Sequence, residues 1–224
     1  MLMFYTTEKR DHGLPHDPFK ALVVPRPIGW VSTISADGAL NIAPFSFFNA
    51  LSDYPPMLIM SVANGKDTVT NLLATGDCTC SLATKALVDE MNMSSAAVDS
   101  SVSEFNLANI ETAESELVST PRVAASPAAF ECKLWKSIEL PVTPGRPGSG
   151  YTSLIVSVVG VHIDDQYIVD GMVDTAAMQP IARLGYMDYS VVNADSMFSL
   201  NRPDVAEDGK TATLKSGPWD GAYR

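Results

Sequence analysis

Residues 25–62 read PRPIGWVSTISADGALNIAPFSFFNALSDYPPMLIMSV. GWVSTIS (29–35) is rich in β-branched and aromatic residues and predicts a strand. Asp37-Gly38 is the strongest short hairpin signal, so NIAPFSFF (41–48) is the predicted return strand. Asp53-Tyr54-Pro55-Pro56 predicts a turn. MLIMSVA (57–63) then predicts a third strand, and its nearly unbroken apolar run predicts burial on both faces, as in a barrel wall. Just before the first strand, Pro25-Arg26-Pro27 restricts two backbone angles and delivers the chain in extended form.

Working outward, residues 1–28 have few periodic apolar positions and predict an irregular arm with one helical turn at 18–22. Downstream, Gly65-Lys66-Asp67-Thr68 opens a segment with Val69, Leu72 and Leu73 at helical spacing, and Gly76 stops it. DCTCSLAT (77–84) alternates as a strand, and 85–97 reads as a helix. Residues 98–127 are polar and Ser-rich, with a short helix expected at 103–109. Strands follow at 130–140 and 151–164, around a Pro/Gly loop at 141–150. A helical turn is expected within 174–182, a last strand within 184–192, and an extended tail beyond 202. Six or seven strands without regular βαβ alternation predict a mainly β protein. An antiparallel barrel with inserted helices fits better than a doubly wound sheet. The chain divides into an arm (1–28), a barrel domain (29–192) and a C-terminal tail (193–224).

The chain has 224 residues, enough for one large domain, and its 46% hydrophobic content supplies a sizeable core. No apolar run approaches the roughly 20 residues of a membrane-spanning helix. The N-terminal charges follow a very short apolar start, the reverse of a signal peptide. Fifteen basic against 26 acidic residues give a net charge of −11, which makes nucleic acid a poor partner. Three cysteines are too few and of the wrong parity for a disulfide framework, so a reducing cytoplasm is the expected location.

Few residues announce chemistry. His12 and His16 are four apart, but Gly13 and Pro15 argue against a helix there and no third ligand is near; no metal site is expected. Cys78 and Cys80 share one face of a predicted strand, where cysteine packs as a small apolar residue, and Cys132 lies in another strand. Met91 and Met93 read as core filling. Gly145, Gly148 and Gly150 lack the helix and the Lys-Ser/Thr of a Walker loop. Lys66-Asp67-Thr68 is different. It follows a buried strand and starts a helix, combining free N–H groups, the positive end of the dipole, a hydroxyl and an ammonium. That set suits a phosphate; simple capping by Asp67 or Thr68 is the competing reading.

The ordered series is more telling than any one piece. After 25–62 come GKDTVTNL (65–72), EMNMSSA (90–96), SEFNLANI (103–110), PRVAASPAAFECKLWKSIEL (121–140), VVGVHIDD (158–165) and PIARLGYMDYS (180–190). Across about 15–192 the chain resembles the flavin reductase-like proteins with an FMN-binding split barrel, a family that includes the reductase component of nitrilotriacetate monooxygenase and flavoredoxin. The resemblance implies a six-stranded Greek-key barrel that forms a homodimer, with FMN near the dimer interface. It implies that Trp30, Val31, Ser32 and Thr33, with Ser46, Phe47, Phe48 and Asn49, lie against the flavin ring. It implies phosphate binding at Lys66, Asp67 and Thr68, and puts His162 and Arg183 near flavin or nicotinamide. The implied activity is transfer of a hydride from NAD(P)H to flavin, with electrons passing on to free flavin, oxygen or a partner monooxygenase. An FMN-binding electron carrier that does not use NAD(P)H is the alternative. A barrel for another phosphate cofactor, of the pyridoxamine-phosphate oxidase kind, matches the sequence pattern least. Hydride transfer needs no protein nucleophile, which agrees with the lack of a triad or carboxylate dyad. Lys66, Arg26 and Arg183 are the candidate cations for a reduced flavin. The long segment 98–127 and the tail depart from the short flavin reductases, so the resemblance bears on FMN more than on the acceptor.

Overall fold

The computed structural model describes residues 2–144 and 150–221. The predicted 141–150 loop, with Gly145 and Gly148, therefore lies partly outside the described residues. Seven strands form one antiparallel sheet: β1 (Gly29–Ile34), β2 (Leu40–Phe45), β3 (Phe48–Asp53), β4 (Pro56–Ala63), β5 (Asp77–Leu82), β6 (Ala128–Glu139) and β7 (Tyr151–Ile163). Their order is β2-β1-β5-β6-β7-β4-β3.

The sheet has seven strands where the resemblance implied a six-stranded barrel, because the predicted return strand 41–48 is broken. It turns at Ser46-Phe47, and the chain resumes as β3, paired to β4. The two edge strands, β2 and β3, are thus consecutive in the chain. The sheet curls back on itself, and Phe48 packs directly onto the backbone of Gly29, where any Cβ would collide with its ring. No ladder joins β2 to β3 among the described residues, so the barrel has an open seam.

Val31, Leu58, Met60, Val62, Leu154 and Val156 fill the barrel with the three cysteines. Helix α1 (Asp67–Thr75) plugs one end with Val69 and Leu72. It ends at Gly76, whose φ of 77° lets its N–H reach the carbonyl of Leu72 at 3.0 Å. A second cluster lies on the other face of β1 and β2. Trp30, Ile42, Met91, Phe105, Val123 and Ile181 form it, under α2 (Val88–Met93) and α3 (Glu104–Leu107). Burial on both faces therefore belongs to β1. In β4 only Leu58, Met60 and Val62 are buried, and the alternate residues face outward or are half-covered. The Ser-rich segment is anchored on its own barrel, with Phe105 buried and Ile110 packed against the same cluster. Of the two core-reading methionines, Met91 is buried but Met93 is half exposed.

Arm and domain end are joined. Arg26–Pro27 pairs with β8 (Ile181–Arg183), which pairs with β9 (Tyr189–Val191). Arg26, almost wholly buried, donates to the carbonyls of Lys20, Val23 and Leu184 at 2.5–2.9 Å. It ties the single helical turn Phe19–Leu22 to the barrel. The tail beyond 193 is largely extended, with one small ladder, Asp204–Val205 with Ala212–Thr213.

Candidate functional site

Two cavities meet at Pro44 and Ser95, which line both. The smaller, about 180 Å³, lies between Asn41 and Phe45 of β2, the start of α1 at Lys66-Asp67-Thr68, and Ser94–Val98 after α2. The larger, about 670 Å³, is lined by Ile28, Ser46, Asn92 and Arg183 among others. It is of the size of small-molecule sites, roughly 300–1,000 Å³. Together they make a groove with a narrow polar end and a wide end.

The narrow end is built on the helix start. Gly65 turns with φ +82° and α1 begins after Lys66, which makes no side-chain cap. The backbone N–H groups of Asp67 and Thr68 have no partner among the described residues. They leave free donors and the positive dipole end in a cavity that Lys66 also lines. Neither Asp67 nor Thr68 caps the helix. The Thr68 hydroxyl is buried and donates to Asn41 Oδ1 (3.1 Å). Asn41 also accepts from Thr33 (3.2 Å) and donates through Nδ2 to Glu104 Oε2 (2.9 Å). Asn71 donates to Thr33 (3.2 Å) and completes a buried network. The donors and the ammonium fit a phosphate monoester, and the adjoining groove fits the body attached to it.

At the wide end, Ser46 Oγ accepts from Arg26 Nε at 3.4 Å. Burial and then the charge of Arg183 lower the pKa of Arg26. Arg183 donates to the Tyr189 hydroxyl and the Tyr186 carbonyl, each at 2.5 Å, and its guanidinium lies 4.6 Å from the Tyr189 ring centre.

The structure brings Ser46, Lys66, Asp67, Thr68 and Arg183 to this groove. Others stand away from it. Trp30 is fully buried and donates from Nε1 to Ser94 Oγ (2.9 Å), so it supports the turn that lines both cavities. Val31 is inside the barrel, and Ser32 is buried with its hydroxyl unpaired among the described residues. Phe48 is spent on the seam; Phe47 and Asn49 are exposed beside it. His162 lies on β7, with Nε2 2.5 Å from Glu131 Oε1. Glu131 also accepts from the backbone N–H groups of Glu116, Leu117 and Val118. Burial raises the Glu131 pKa, but these donors and His162 outweigh it and hold the carboxyl below its usual range.

Sequence reasoning missed Asn92, Ser94, Ser95, Asn41 and Glu104. The first three sit in EMNMSSA, where the methionines drew attention to the core. The signal for Asn41 was a polar residue inside an apolar strand. The sulfurs of Cys78, Cys80 and Cys132 converge within 4.8 Å of one another. Hydrogen bonds among the three thiols raise some of their pKa values and lower others, and with burial the net direction is upward for all three. They pack with the barrel's apolar core. His12 is turned to Tyr5 and His16 to Tyr186, with Gly13 at φ +68° between them.

The antiparallel sheet curled into a barrel with an open seam defines the class: a mainly β split barrel. The flavin reductase like domain model matches residues 21–178, and the chain belongs to that family. A protein of unassigned function from Aquifex aeolicus is 40% identical over 188 residues, covering 82% of this chain and 92% of its own. Nitrilotriacetate monooxygenase component B from Bacillus cereus is 27% identical with a TM-score of 0.79, over 89% of this chain and 99% of that one. Flavoredoxin of Desulfovibrio vulgaris shares the fold, with a TM-score of 0.70 at 22% identity over 80% of this chain and 91% of that one. No helix among the described residues is long and apolar enough to cross a membrane.

Proposed function

We propose that the groove holds FMN and that the chain is an NAD(P)H-dependent flavin oxidoreductase, passing electrons on to free flavin, oxygen or a partner monooxygenase. The observation that carries this is the pair of free N–H groups at Asp67 and Thr68 beside Lys66, opening onto a groove of ligand size. Lys66 and the helix start bind the phosphate. Ser95 and Pro44 flank the ribityl chain, and Ser46 and Arg183 face the ring. Trp30, Val31, Ser32 and Thr33 act as the frame behind these contacts. When bound, the flavin supplies a ring that takes up two electrons as a hydride. Arg183, and Arg26 behind it, favour the negative charge of the reduced ring.

The working form in this reading is a homodimer. Phe47, Leu51, Trp135, Ile138, Val159 and Val161 are exposed apolar residues on β3, β6 and β7 and at the seam. A second copy would cover them, together with Asn49 and His162, and would shield the flavin.

The test is spectroscopic. The purified protein should take up FMN and become yellow, and NADH or NADPH added anaerobically should bleach it within seconds. Yellow protein that is not bleached by either nucleotide would instead be an electron carrier. Protein that takes up no FMN would refute both.

A further inference from the structure

Strands β5 and β6 bring three thiols together inside the barrel, away from the groove. Cys78 and Cys80 are two apart on β5 and share a face, and Cys132 on β6 is the cross-strand partner of Cys78. Their sulfurs lie within 4.8 Å of one another. Three sulfurs bound at about 2.3 Å to one shared atom stand roughly 4 Å apart, so small side-chain rotations bring these three onto one centre. No histidine, aspartate or glutamate joins the group among the described residues. A site here is therefore three-coordinate and all sulfur.

Charge selects the occupant. The three cysteines are buried in one apolar cluster with Val31, Met60, Leu72 and Leu154. Net charge left in such surroundings is costly unless it is paired. The carboxylates of Asp77 and Glu131 act on Cys78 and Cys132 and oppose any added negative charge. Copper(I) on three thiolates leaves two net negative charges, and structural zinc takes four ligands. A trivalent centre on three thiolates is neutral, and soft sulfur ligands suit a soft centre.

We propose that Cys78, Cys80 and Cys132 form a binding site for a trivalent thiophilic metalloid of the arsenic(III) class, taken up as its uncharged hydroxide. Three S–H groups condense with As(OH)3. Three sulfur–arsenic bonds form, three arsenic–oxygen bonds break, and each thiol proton leaves with a hydroxide as water. No electron is transferred, and the site is neutral before and after. The arsenic takes the place of three thiol hydrogens, so it adds little to the volume of the core. Because the sulfurs are enclosed, loading passes through a local opening of the barrel.

The experiment uses the full chain with its thiols reduced, incubated with arsenite until uptake is complete. Its mass under non-denaturing conditions should rise by one arsenic less three hydrogens. Arsenite should also raise Tm, because the folded barrel holds all three thiols on one centre. Cys132→Ala leaves two thiols. It should keep one hydroxyl on the arsenic and bind at least about tenfold more weakly, read from the sulfur-to-arsenic absorption in the ultraviolet. If that variant does not fold, the mass and Tm of the wild type decide alone. No uptake, a wild-type mass that retains a hydroxyl, a fall in Tm, or affinity unchanged in a folded Cys132→Ala overturns the proposal. FMN uptake is measured in parallel, and its success or failure leaves these readouts untouched.

Discussion

Thr68 is legible in the sequence as a hydroxyl at a helix start, but its proton goes to Asn41, inside a network that also holds Thr33, Asn71 and Glu104. No local pattern reveals this, because Asn41 is 27 residues from Thr68 and Glu104 is 63 residues from Asn41 in the chain. Thr68→Val should therefore lower stability by about 1–3 kcal/mol, the usual cost of removing a partner from a buried polar group. Urea unfolding measures it. The preference for FMN over riboflavin should hardly change, because the backbone N–H groups remain. Glu104 gives a second residue-scale prediction. Its carboxylate lines the narrow cavity and is turned to Asn41 and Ile42. Glu104→Gln keeps an acceptor for both and removes a negative charge near the proposed phosphate. At roughly 10 Å and an effective dielectric near 20, one unit charge is worth about 1.7 kcal/mol. FMN should bind about tenfold more tightly in this variant, with riboflavin little changed; unchanged FMN affinity would move the phosphate away from this end.

Among the elements, the strands and α1 were readable because period-two alternation, Asp37-Gly38 and Gly76 are local signals. The break at Ser46-Phe47 was not, because its cause is tertiary: the chain must leave one edge of the sheet and start the other. Double-sided burial likewise went to β1, which has neighbours on both faces, and not to the more apolar β4. Gly29 is the point where the seam closes. Gly29→Ala would force the Phe48 ring aside and should cost about 1–3 kcal/mol, read from thermal or urea unfolding. Glu131 joins β6 to residues 116–118 and to His162. Because its folded pKa is depressed, its contribution is present above the ordinary carboxylate value of 4.5 and is lost as pH falls through the lower folded value. The stability gap between the wild type and Glu131→Gln should therefore be widest near neutral pH and close below about pH 4.5. Denaturation at a series of pH values checks this; a gap independent of pH would contradict it.

At the scale of the whole molecule, exposed apolar residues such as Trp135, Leu51 and Val161 are the feature that a single chain leaves unanswered. The proposed dimer has a mass of about 48 kDa, twice the 24.0 kDa of one chain, and sedimentation decides it. Because cofactor and subunit contact would stabilise each other, FMN should dissociate more readily as the protein is diluted. The sequence pointed to the helix-start half of the groove through Lys66-Asp67-Thr68, since dipole, ammonium and free N–H groups are set by four adjacent residues. Of the wide half, which is assembled from the arm, β2, α2 and the β8–β9 hairpin, only Arg26, Ser46 and Arg183 were named as site candidates, and those through the family resemblance. The central claim is that this groove takes a flavin by its phosphate, and one equilibrium titration tests it most directly. FMN and riboflavin are titrated into the wild type and Lys66→Ala, following flavin fluorescence. The wild type should prefer FMN, and Lys66→Ala should lose at least about tenfold in FMN affinity while riboflavin is nearly unaffected, as expected for one charge-assisted contact of roughly 1.5–3 kcal/mol. Equal loss for both ligands, or no preference for FMN in the wild type, would contradict the account.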